Sequence, residues 1–369
     1  MNNVFIKIIS VSWNKAILSF SLPVMSIVKV ICREPKNCML AQTEEECFIG
    51  RIFLNQLEPK TSYKVIVEWE SGQEELEFTT LPVPIGDCLC KFAAIADTHI
   101  SEKAENRKGR LFVESAMILS DIVEHINSEQ MDFAIIAGDI TNMSRSSEYA
   151  RADEILSRMK CKCYVVPGDH DMLDKGNEYW QRHFGEKQWV EELECVASKK
   201  IQLIGVDTSN RRIGQEGIDW LKCNLKRDVI NIIVSHFQLI PDDYIRGSNR
   251  KLIEDYEEYR QEIERLCEYY NMMIYVGHQN VPSKKYIGNS VQINLPQPVQ
   301  FLCGYLVVQV YENGIYHSFV PITSEILNEH SRVFSECASS RLQEAHWRAE
   351  YRVGKDVTES NFIFVLSVD

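Results

Sequence analysis

The pattern of apolar and polar positions divides the chain into two regions with different predicted secondary structure. Before residue 90, short apolar stretches are separated by turn signals, which is typical of a β sandwich. In the first stretch, Ala16, Leu18 and Phe20 lie two residues apart and therefore share one face of a strand. From residue 91, apolar runs alternate with segments whose apolar residues recur at helical spacing, a pattern that predicts an α/β domain.

The predicted α/β domain spans residues 91–322. Its predicted helices lie around 119–126, 152–159, 218–225 and 250–270. Its predicted strands are 92–96, 133–137, 164–167, 201–206, 229–235 and 273–276, with consecutive strands between 291 and 320 joined by a hairpin turn at Asn313-Gly314.

The last segment, residues 323–369, predicts a helix from Ser324 to about Arg352 and then a strand at 362–368. Because this strand is strongly apolar, disorder is a poor expectation for it. We expect the segment to dock onto the α/β domain or onto the N-terminal sandwich, and an oligomer contact is the alternative.

The end of the β region carries a more specific pattern. Leu57, Pro59, Thr61 and Tyr63 occupy alternate positions, and a Phe-Thr-Thr run at 78–80 follows them. This arrangement resembles a fibronectin type III domain, in which the tyrosine hydroxyl bonds back to the chain just upstream. The resemblance implies an accessory or interaction module at residues 1–84, with no chemistry of its own. The proline-containing segment 81–86 is the predicted linker.

Charge and cysteine content restrict the class of partner and the compartment. Of 369 residues, 40 are basic and 53 acidic, and the formal charge of −13 disfavours a broad surface for nucleic acid. Twelve cysteines are scattered over the chain, and the pairs Cys88/Cys90 and Cys161/Cys163 lack the spacing of a zinc site, so buried structural thiols are expected. No signal peptide or membrane span is predicted. A cytoplasmic location is therefore expected.

Chemistry-bearing side chains follow five of the predicted strands of the α/β domain. Each one alone has a simpler interpretation, such as a helix cap, an ordinary turn or a core histidine. Parallel strands, however, bring their carboxyl ends to one edge of a sheet, so that the groups can converge. A mixed set of carboxylates and imidazoles suits Zn, Mn or Fe better than Mg. The groups are Asp97 and His99, Asp139, Asp169 and His170, His236, and His278 with Asn280.

The order of these groups resembles the calcineurin-like metallophosphoesterases, and most closely their cyclic-nucleotide and glycerol-phosphodiester phosphodiesterase branch. The resemblance implies a four-layer sandwich of two mixed β-sheets flanked by helices, here preceded by the small all-β domain. It also implies a metal-dependent phosphohydrolase that uses two divalent metal ions. The motifs that carry it are Asp97-x-His99, Gly138-Asp139-x-x-Asn142, Gly168-Asp169-His170-Asp171, Ser235-His236 and Gly277-His278-x-Asn280.

The resemblance further implies a role for each matching residue. A hydroxide held between the two metal ions would attack phosphorus, and His170 would protonate the leaving oxygen. Asn142 would support His170 or the substrate. The first ion would be held by Asp97, His99, Asp139 and Asn280, and the second by Asp139, Asp169, His236 and His278.

Two of these positions depart from the family pattern. Asp169 stands where the family usually has asparagine, and Asn280 where it usually has histidine. The set therefore carries three carboxylates against two divalent ions, and the first ion loses an imidazole nitrogen. Three interpretations remain: an active phosphoesterase with a weakly held first metal, a degenerate relative serving as a binding or scaffold protein, or a structural component whose N-terminal module binds a protein partner.

The substrate is less well defined by the sequence. A small phosphoester is expected, and nucleotide, lipid-derived, nucleic-acid and protein phosphates all stay open. Cations in loops after the strands could clamp a phosphate, although solvated surface is the simpler interpretation of any one of them. The candidates are Arg211, Arg212, Arg246 and Lys251.

Overall fold

The N-terminal region folds into two antiparallel sheets. The structure is a computed structural model that describes residues 4–194, 200–227, 229–242, 252–342 and 348–365. Its first seven strands are β1 (Phe5–Val11), β2 (Ala16–Ser26), β3 (Lys29–Glu34), β4 (Cys38–Gln42), β5 (Cys47–Leu54), β6 (Ser62–Trp69) and β7 (Gly72–Thr79). One sheet has the order β1-β2-β5 and the other β4-β3-β6-β7. The predicted all-β region is therefore confirmed.

Alternate residues of these strands point into a shared core. Leu18 and Phe20 on β2 pack with Val65 on β6, and all three are buried. The hydroxyl of Tyr63 accepts a hydrogen bond from the backbone N–H of Glu58 at 2.7 Å, which ties the start of β6 to the residues just upstream. Assignment of this region to the fibronectin type III family stays a prediction.

Two six-stranded mixed sheets form the rest of the molecule. The first has the order β10-β9-β8-β17-β18-β19 and the second β11-β12-β13-β14-β16-β15. The strands are β8 (Cys90–Ile95), β9 (Phe133–Ala137), β10 (Lys162–Val166), β11 (Trp189–Glu194), β12 (Lys200–Val206), β13 (Ile230–Ser235), β14 (Met272–Val276), β15 (Ser283–Ile287), β16 (Ser290–Asn294), β17 (Gly304–Tyr311), β18 (Gly314–Pro321) and β19 (Phe362–Phe364).

Helices cover the outer faces of both sheets, so that the strands at the centre are buried on two sides. β9, β13 and β14 are buried at every position, which explains why they read as continuous apolar runs. The predicted fold class is confirmed. The helices are α1 (Ser115–Ser128), α2 (Ser146–Leu156), α3 (Gly176–His183), α4 (Gly214–Asn224), α5 (Tyr256–Tyr269), α6 (Glu325–Leu342) and α7 (Ala349–Arg352).

The parallel strands fix where polar side chains can meet. β8, β9 and β10 are mutually parallel in the first sheet, and β12, β13 and β14 in the second. The two sheets pack face to face through an apolar core that includes Phe92, Phe133, Ile232 and Tyr275. The carboxyl ends of both sets of strands consequently lie at one common edge of the sandwich.

Several elements differ from the sequence prediction. α3 and β11 were not predicted. β11 is an edge strand in which half-buried and exposed residues alternate, and half of its residues are glutamates. The predicted helix at 250–270 begins only at Tyr256, and residues 250–251 lie outside the described residues. The predicted helix over 324–352 is interrupted at Arg348, whose extended backbone precedes α7; α6 is described from Glu325 to Leu342, and residues 343–347 lie outside the described residues.

The cysteine prediction holds only in part. Cys90 is buried, but Cys88, Cys161 and Cys163 are half-buried. The described cysteines form no disulfide, and none of them belongs to a metal-binding group found in the described part of the chain. None of the described helices is long and apolar enough to span a membrane.

The C-terminal segment docks onto the α/β region. β19 pairs antiparallel with β18 and extends the first sheet by one strand. The side-chain oxygen of Asn361 accepts hydrogen bonds from the backbone N–H groups of Val11 at 3.2 Å and Phe319 at 3.0 Å. It therefore connects the segment to β1 and β18 at once. The predicted docking is confirmed as far as Val365, and residues 366–369 lie outside the described residues.

A buried histidine lies under this docked strand and should make stability depend on pH. His317 on β18 bonds through Nε2 to the hydroxyl of Tyr275 at 2.8 Å, and its ring stacks on Phe362 at 4.2 Å. Burial lowers the pKa of His317 from 6.5 to about 3. The unfolded chain therefore binds an extra proton between these two values, and stability falls as the pH falls through that window.

Between pH 7.5 and pH 5, this one histidine should cost the wild-type protein about 2 kcal/mol of unfolding free energy. Urea unfolding at the two pH values, with His317→Gln beside the wild type, measures the contribution. The variant should lose about 2 kcal/mol less over this interval. An identical pH dependence in the two proteins would contradict the assignment.

Candidate metal centre

The predicted ligand residues lie where the strands of both sheets end. Asp97 and His99 follow β8, Asp139 follows β9, and Asp169 follows β10. The two sheets are joined at this edge, since the backbone N–H of His278 donates to Asp97 Oδ2 at 2.9 Å. Side chains from the first sheet therefore face those that follow β13 and β14 in the second.

Two groups of possible ligand atoms form at this edge. In the first, Asp139, Asp169, His236 and His278 each offer one atom, and these atoms lie within 4.8 Å of one another. In the second, atoms of His99, Asp139 and His170 lie within the same distance. Asp139 belongs to both groups, which is the position that the sequence predicts for a bridging carboxylate.

The separations between these atoms are longer than the usual hydrogen-bond range, and His236 Nε2 and Asp169 Oδ1 have no hydrogen-bond partner. His236 Nε2 lies 3.4 Å from Asp139 Oδ1 and 3.5 Å from Asp169 Oδ1, and His278 Nδ1 lies 3.4 Å from Asp169 Oδ1. Two ligand atoms that bind one ion at about 2.1 Å with a tetrahedral angle lie about 3.4 Å apart. The spacing is therefore that of ligands around a shared ion.

Many of these atoms have no partner although they are buried. Both ring nitrogens of His99 are buried without a hydrogen bond, and so is Nε2 of His236. The same holds for one oxygen each of Asp97, Asp169 and Asn280 within the described part of the chain. Unpaired buried polar groups are costly and demand an explanation. Divalent metal ions fit this donor set of carboxylates, imidazoles and one amide oxygen.

The hydrogen bond of His236 selects the tautomer that a metal ligand needs. Its Nδ1–H donates to the carbonyl oxygen of Ala137 at 2.8 Å, because a carbonyl can only accept. Nε2 is therefore the nitrogen whose lone pair is available.

Burial and charge push the pKa values of the cluster in opposite directions. Burial lowers the pKa of His99 well below 6.5, which keeps the imidazole in the neutral form that binds metals. Burial raises the pKa of Asp97 to about 7, so a neighbouring cation is needed to keep this carboxylate fully ionised at neutral pH. For Asp139 burial acts in the same direction, but the combined attraction of His236, His170 and His99 outweighs it and the pKa is lowered.

Two glycines of the sequence motifs allow the close approach of these groups. A Cβ atom on Gly168 would lie 2.2 Å from Asp139 Oδ1, and one on Gly277 would lie 2.6 Å from Asp97 Oδ2. Any larger residue would displace a candidate ligand. The site is also built on strained backbone, because candidate ligands adopt positive φ values between 42° and 61°. These residues are Asp97, His99, Asp139, His278 and Asn280.

His170 lies beside this cluster and is oriented by backbone contacts. Its Nδ1–H donates to the carbonyl oxygen of Asn142 at 2.6 Å, and its backbone N–H donates to Asp139 Oδ1 at 2.9 Å. Nε2 is thus the nitrogen that can exchange a proton. The contact with Asn142 is made by its main chain, whereas its side-chain nitrogen donates to Ser101 Oγ at 3.3 Å.

Asn280 and Asp171 have structural contacts that the sequence did not indicate. The backbone carbonyl of Asn280 accepts a hydrogen bond at 2.8 Å from Nη2 of Arg352, a residue of α7. The buried carboxylate of Asp171 accepts hydrogen bonds from the backbone N–H groups of Ile140, Thr141 and Gly168. Asp171 therefore holds together the two turns that present Asp139 and Asp169.

The predicted rim cations have different surroundings. Arg211 stacks over the ring of Phe237 at 5.3 Å, and Phe237 in turn contacts the ring of His278. Nε of Arg212 lies 3.7 Å from the buried carboxylate of Asp255. Arg246 and Lys251 lie outside the described residues.

A basic segment at residues 103–110, which was not predicted from the sequence, lies beside the cluster, because Phe112 just after it contacts the ring of His99 at 6.4 Å. The guanidinium of Arg110 is half-buried and close enough to interact electrostatically with Asp97, Asp139 and Asp169. No periodicity marks this loop residue in the sequence. Its only local signal is the density of basic residues between 103 and 110.

Comparison with known proteins gives one family match and several partial relatives. Residues 90–282, more than half of the chain, match the model of the calcineurin-like phosphoesterase family. A protein of Arcobacter nitrofigilis described as "Probable glycerophosphodiester phosphodiesterase GpdQ" is 28% identical over 36% of this chain and 50% of its own length. A protein of Ruthia magnifica described as "Probable cyclic nucleotide phosphodiesterase" is 22% identical over 44% of this chain and 69% of its own.

A solved structure shares the fold. The crystal structure of a dimetal phosphatase from Danio rerio superimposes with a TM-score of 0.51 at 12% identity, covering 64% of this chain and 98% of that one. This chain spans about half the length of the Arcobacter relative that it matches.

Proposed function

Because this chain belongs to the calcineurin-like phosphoesterase family, we propose that it is a metal-dependent phosphohydrolase that cleaves phosphodiesters. Two observations carry the proposal: two groups of possible ligand atoms share Asp139, and within them His99, His236 and Asp169 have buried atoms without a hydrogen-bond partner. The preference for a diester is supported by relatives described as glycerophosphodiester and cyclic nucleotide phosphodiesterases.

We assign the candidate ligands to two divalent ions. Asp97, His99, Asp139 and Asn280 would hold the first, and Asp139, Asp169, His236 and His278 the second. Mn, Fe and Zn are the ions that suit such a mixture of oxygen and nitrogen donors. Bound there, two such ions neutralise phosphoryl oxygens and make water a nucleophile near neutral pH.

The residues around the ions supply the remaining chemistry. His170, with Nδ1 held by the carbonyl of Asn142, presents Nε2 as the general acid that protonates the leaving oxygen. The backbone N–H that donates to Asp139 Oδ1 couples the position of His170 to that of the shared carboxylate. The scaffold alternative is not favoured, because every candidate ligand position carries a group that can bind a metal.

The third carboxylate, Asp169, should strengthen metal binding and weaken phosphate binding compared with asparagine at the same position. Loss of even an outer partner of a ligand costs about 10- to 100-fold in metal affinity, so Asp169→Asn should weaken the second Mn²⁺ site at least that much. The same change raises the net charge of the loaded centre from about +1 to about +2 and should tighten the binding of phosphate.

Calorimetric titration of metal-stripped Asp169→Asn with Mn²⁺ measures the first effect, and titration of the Mn²⁺-loaded variant with inorganic phosphate measures the second. Asp174→Asn, an exposed carboxylate in the same loop, is the matched control. If the Mn²⁺ affinity of Asp169→Asn equals that of the control, Asp169 is not a ligand.

The reaction class is tested with paired aryl substrates. Mn²⁺-loaded protein should hydrolyse bis(p-nitrophenyl) phosphate with a higher kcat/KM than p-nitrophenyl phosphate. A higher value for the monoester would make the chain a phosphatase. Absence of turnover above an Asp139→Ala control with either substrate would overturn the proposed function.

We also propose that residues 1–84 form a fibronectin type III-like module that binds a protein partner. The two antiparallel sheets and the contact between Tyr63 and Glu58 support this proposal. The domain limits 91–322 and 323–369 and the cytoplasmic location stay predictions. Phe53 is exposed on β5. If the wild-type protein retains a partner and Phe53→Asp does not, the module binds that partner. Equal retention by both proteins would contradict binding through the face of the sheet that carries Phe53.

A further inference from the structure

A short basic segment forms one wall beside the candidate metal centre. Residues 103–110 contain Lys103, Arg107, Lys108 and Arg110 but only one carboxylate, Glu105, in a chain whose formal charge is −13. The segment lies between β8 and α1, and Phe112, which follows it by two residues, packs edge to face against the ring of His99 with 6.4 Å between the ring centres. A local excess of positive charge at this place suits an anionic ligand.

Arg110 is the cation of this segment that lies nearest in sequence to Phe112, the residue in contact with His99. Its charge interacts with Asp97, Asp139 and Asp169, and it also acts on the neighbouring His99. Its Nε donates to Gln300 Oε1 at 3.5 Å, at the limit of hydrogen bonding. Neither terminal nitrogen of Arg110 forms a hydrogen bond or an ion pair with a described residue.

The backbone around Arg110 is fixed from two sides. Arg110 and Arg107 exchange two main-chain hydrogen bonds, of 2.9 and 3.2 Å, which close a tight turn. Ser331 on α6 donates to the carbonyl of Gly109 at 2.5 Å and accepts from the N–H of Phe301 at 2.7 Å. Gln300 Nε2 donates to the carbonyl of Lys108 at 2.7 Å. The guanidinium is therefore presented by a rigid turn that the C-terminal segment supports.

We propose that Arg110 binds the phosphoryl group of the substrate through its two terminal nitrogens. This inference rests on the proposed function and deepens it, because it assigns the phosphate-binding cation of the same site. Three carboxylates lower the charge of a centre with two divalent ions to about +1, and Arg110 adds back the charge that Asp169 removes. A planar guanidinium with free terminal nitrogens matches two phosphoryl oxygens at once.

A purely structural role for Arg110 makes a different prediction. As a counter-ion of the carboxylates, it would stabilise the apoprotein, and its loss would change metal affinity rather than phosphate affinity. As a phosphate ligand, it repels the metal ions slightly, and its loss leaves metal affinity unchanged or raised while phosphate affinity falls.

The two roles are separated by calorimetric titration of Mn²⁺ into metal-stripped protein, followed by titration of inorganic phosphate into the Mn²⁺-loaded protein. Arg110→Gln should bind phosphate about 10- to 100-fold more weakly than the wild type, because a charge-assisted contact is lost. Its Mn²⁺ affinity should be equal to or higher than that of the wild type. Arg110→Lys keeps the positive charge but lacks the paired N–H donors of the guanidinium. Its phosphate affinity should lie between those of Arg110→Gln and the wild type.

Arg107→Gln is the matched control, since it removes the same charge from the same turn. The side chain of Arg107 lines a separate cavity of about 740 Å³ with Phe334 and Arg341. Its phosphate affinity should stay within about twofold of the wild type. Thermal unfolding of each variant confirms that the fold is kept.

The assignment would be overturned if Arg110→Gln bound phosphate as tightly as the wild type. This holds whether or not the variant also binds Mn²⁺ more weakly. The absence of phosphate binding to the wild type would overturn it too. If Arg110→Gln does not fold, the test rests on Arg110→Lys. Wild-type phosphate affinity in Arg110→Lys would then contradict binding of phosphate by both terminal nitrogens of the guanidinium. These titrations need no turnover, so an inactive wild-type enzyme would overturn the proposed function and still leave Arg110 tested.

Discussion

Replacing Asp139 by asparagine should lower kcat for a phosphodiester by about 1,000-fold or more, because metal-ion catalysis supplies several kcal/mol of transition-state stabilisation. Asp139 is the residue that joins the two groups of ligand atoms. Its Oδ1 lies 3.4 Å from His236 Nε2, and its Oδ2 lies 3.7 Å from His99 Nε2. Asparagine keeps the volume but loses the charge and one of the two acceptor oxygens.

Two readouts check this result. Steady-state hydrolysis of bis(p-nitrophenyl) phosphate gives kcat, and elemental analysis gives bound Mn²⁺ per chain, which should fall in Asp139→Asn. Asp174→Asn serves as the control because its carboxylate is exposed and follows His170 by only four positions. Normal metal content in Asp139→Asn would show that Asp139 does not bridge the ions.

Replacing His170 by glutamine should have an effect that depends on the leaving group. General acid catalysis is worth about 10²- to 10⁴-fold, but an acidic phenol leaves without help whereas an alkoxide must be protonated. His170→Gln should therefore lose about 10²-fold or more with alkyl diesters and about 10-fold or less with p-nitrophenyl diesters. Glutamine can still donate to the carbonyl of Asn142, so the local backbone should be preserved.

The measurement is kcat/KM for both substrate types in the wild type and the variant. Asn142→Ala is the companion variant, because it keeps the carbonyl that holds His170 and removes only the side chain. It should retain the leaving-group dependence of the wild type. An equal loss in His170→Gln for both substrate types would rule out proton donation by His170.

Much of this centre could be predicted because each strand end carries its own short signal in the sequence, although the strand ends lie far apart along the chain. Each candidate ligand comes directly after a buried strand, and the parallel arrangement of those strands brings the ligands together. The apolar runs of β9 and β14 and the motif glycines at 138, 168 and 277 are visible without any tertiary information. The convergence of the ligands therefore follows from secondary structure and topology alone.

The supporting residues could not be predicted because their positions depend on packing between distant segments. The turn that carries Arg110 is held in place by α6 and by the loop at 299–301, both distant in sequence. Arg352 bonds to the carbonyl of Asn280 across 72 positions of sequence. Asp171 was visible in its motif, but its acceptor role needs the backbone of Ile140 and Thr141, which lies on another strand exit.

The edge strand β11 was missed for a different reason. Its residues 189–194 alternate between half-buried and exposed, and three of the six are glutamates. Such charge protects an exposed edge from pairing with another chain, and it also hides the strand from an analysis based on apolar periodicity.

The dinuclear centre is tested most directly by titrating metal-stripped wild-type protein with Mn²⁺ while following hydrolysis of bis(p-nitrophenyl) phosphate. The arrangement of Asp97, His99, Asp139, Asp169, His236, His278 and Asn280 predicts that turnover rises until two ions are bound per chain. Binding of one ion or none, with turnover no higher than that of Asp139→Asn, would contradict it.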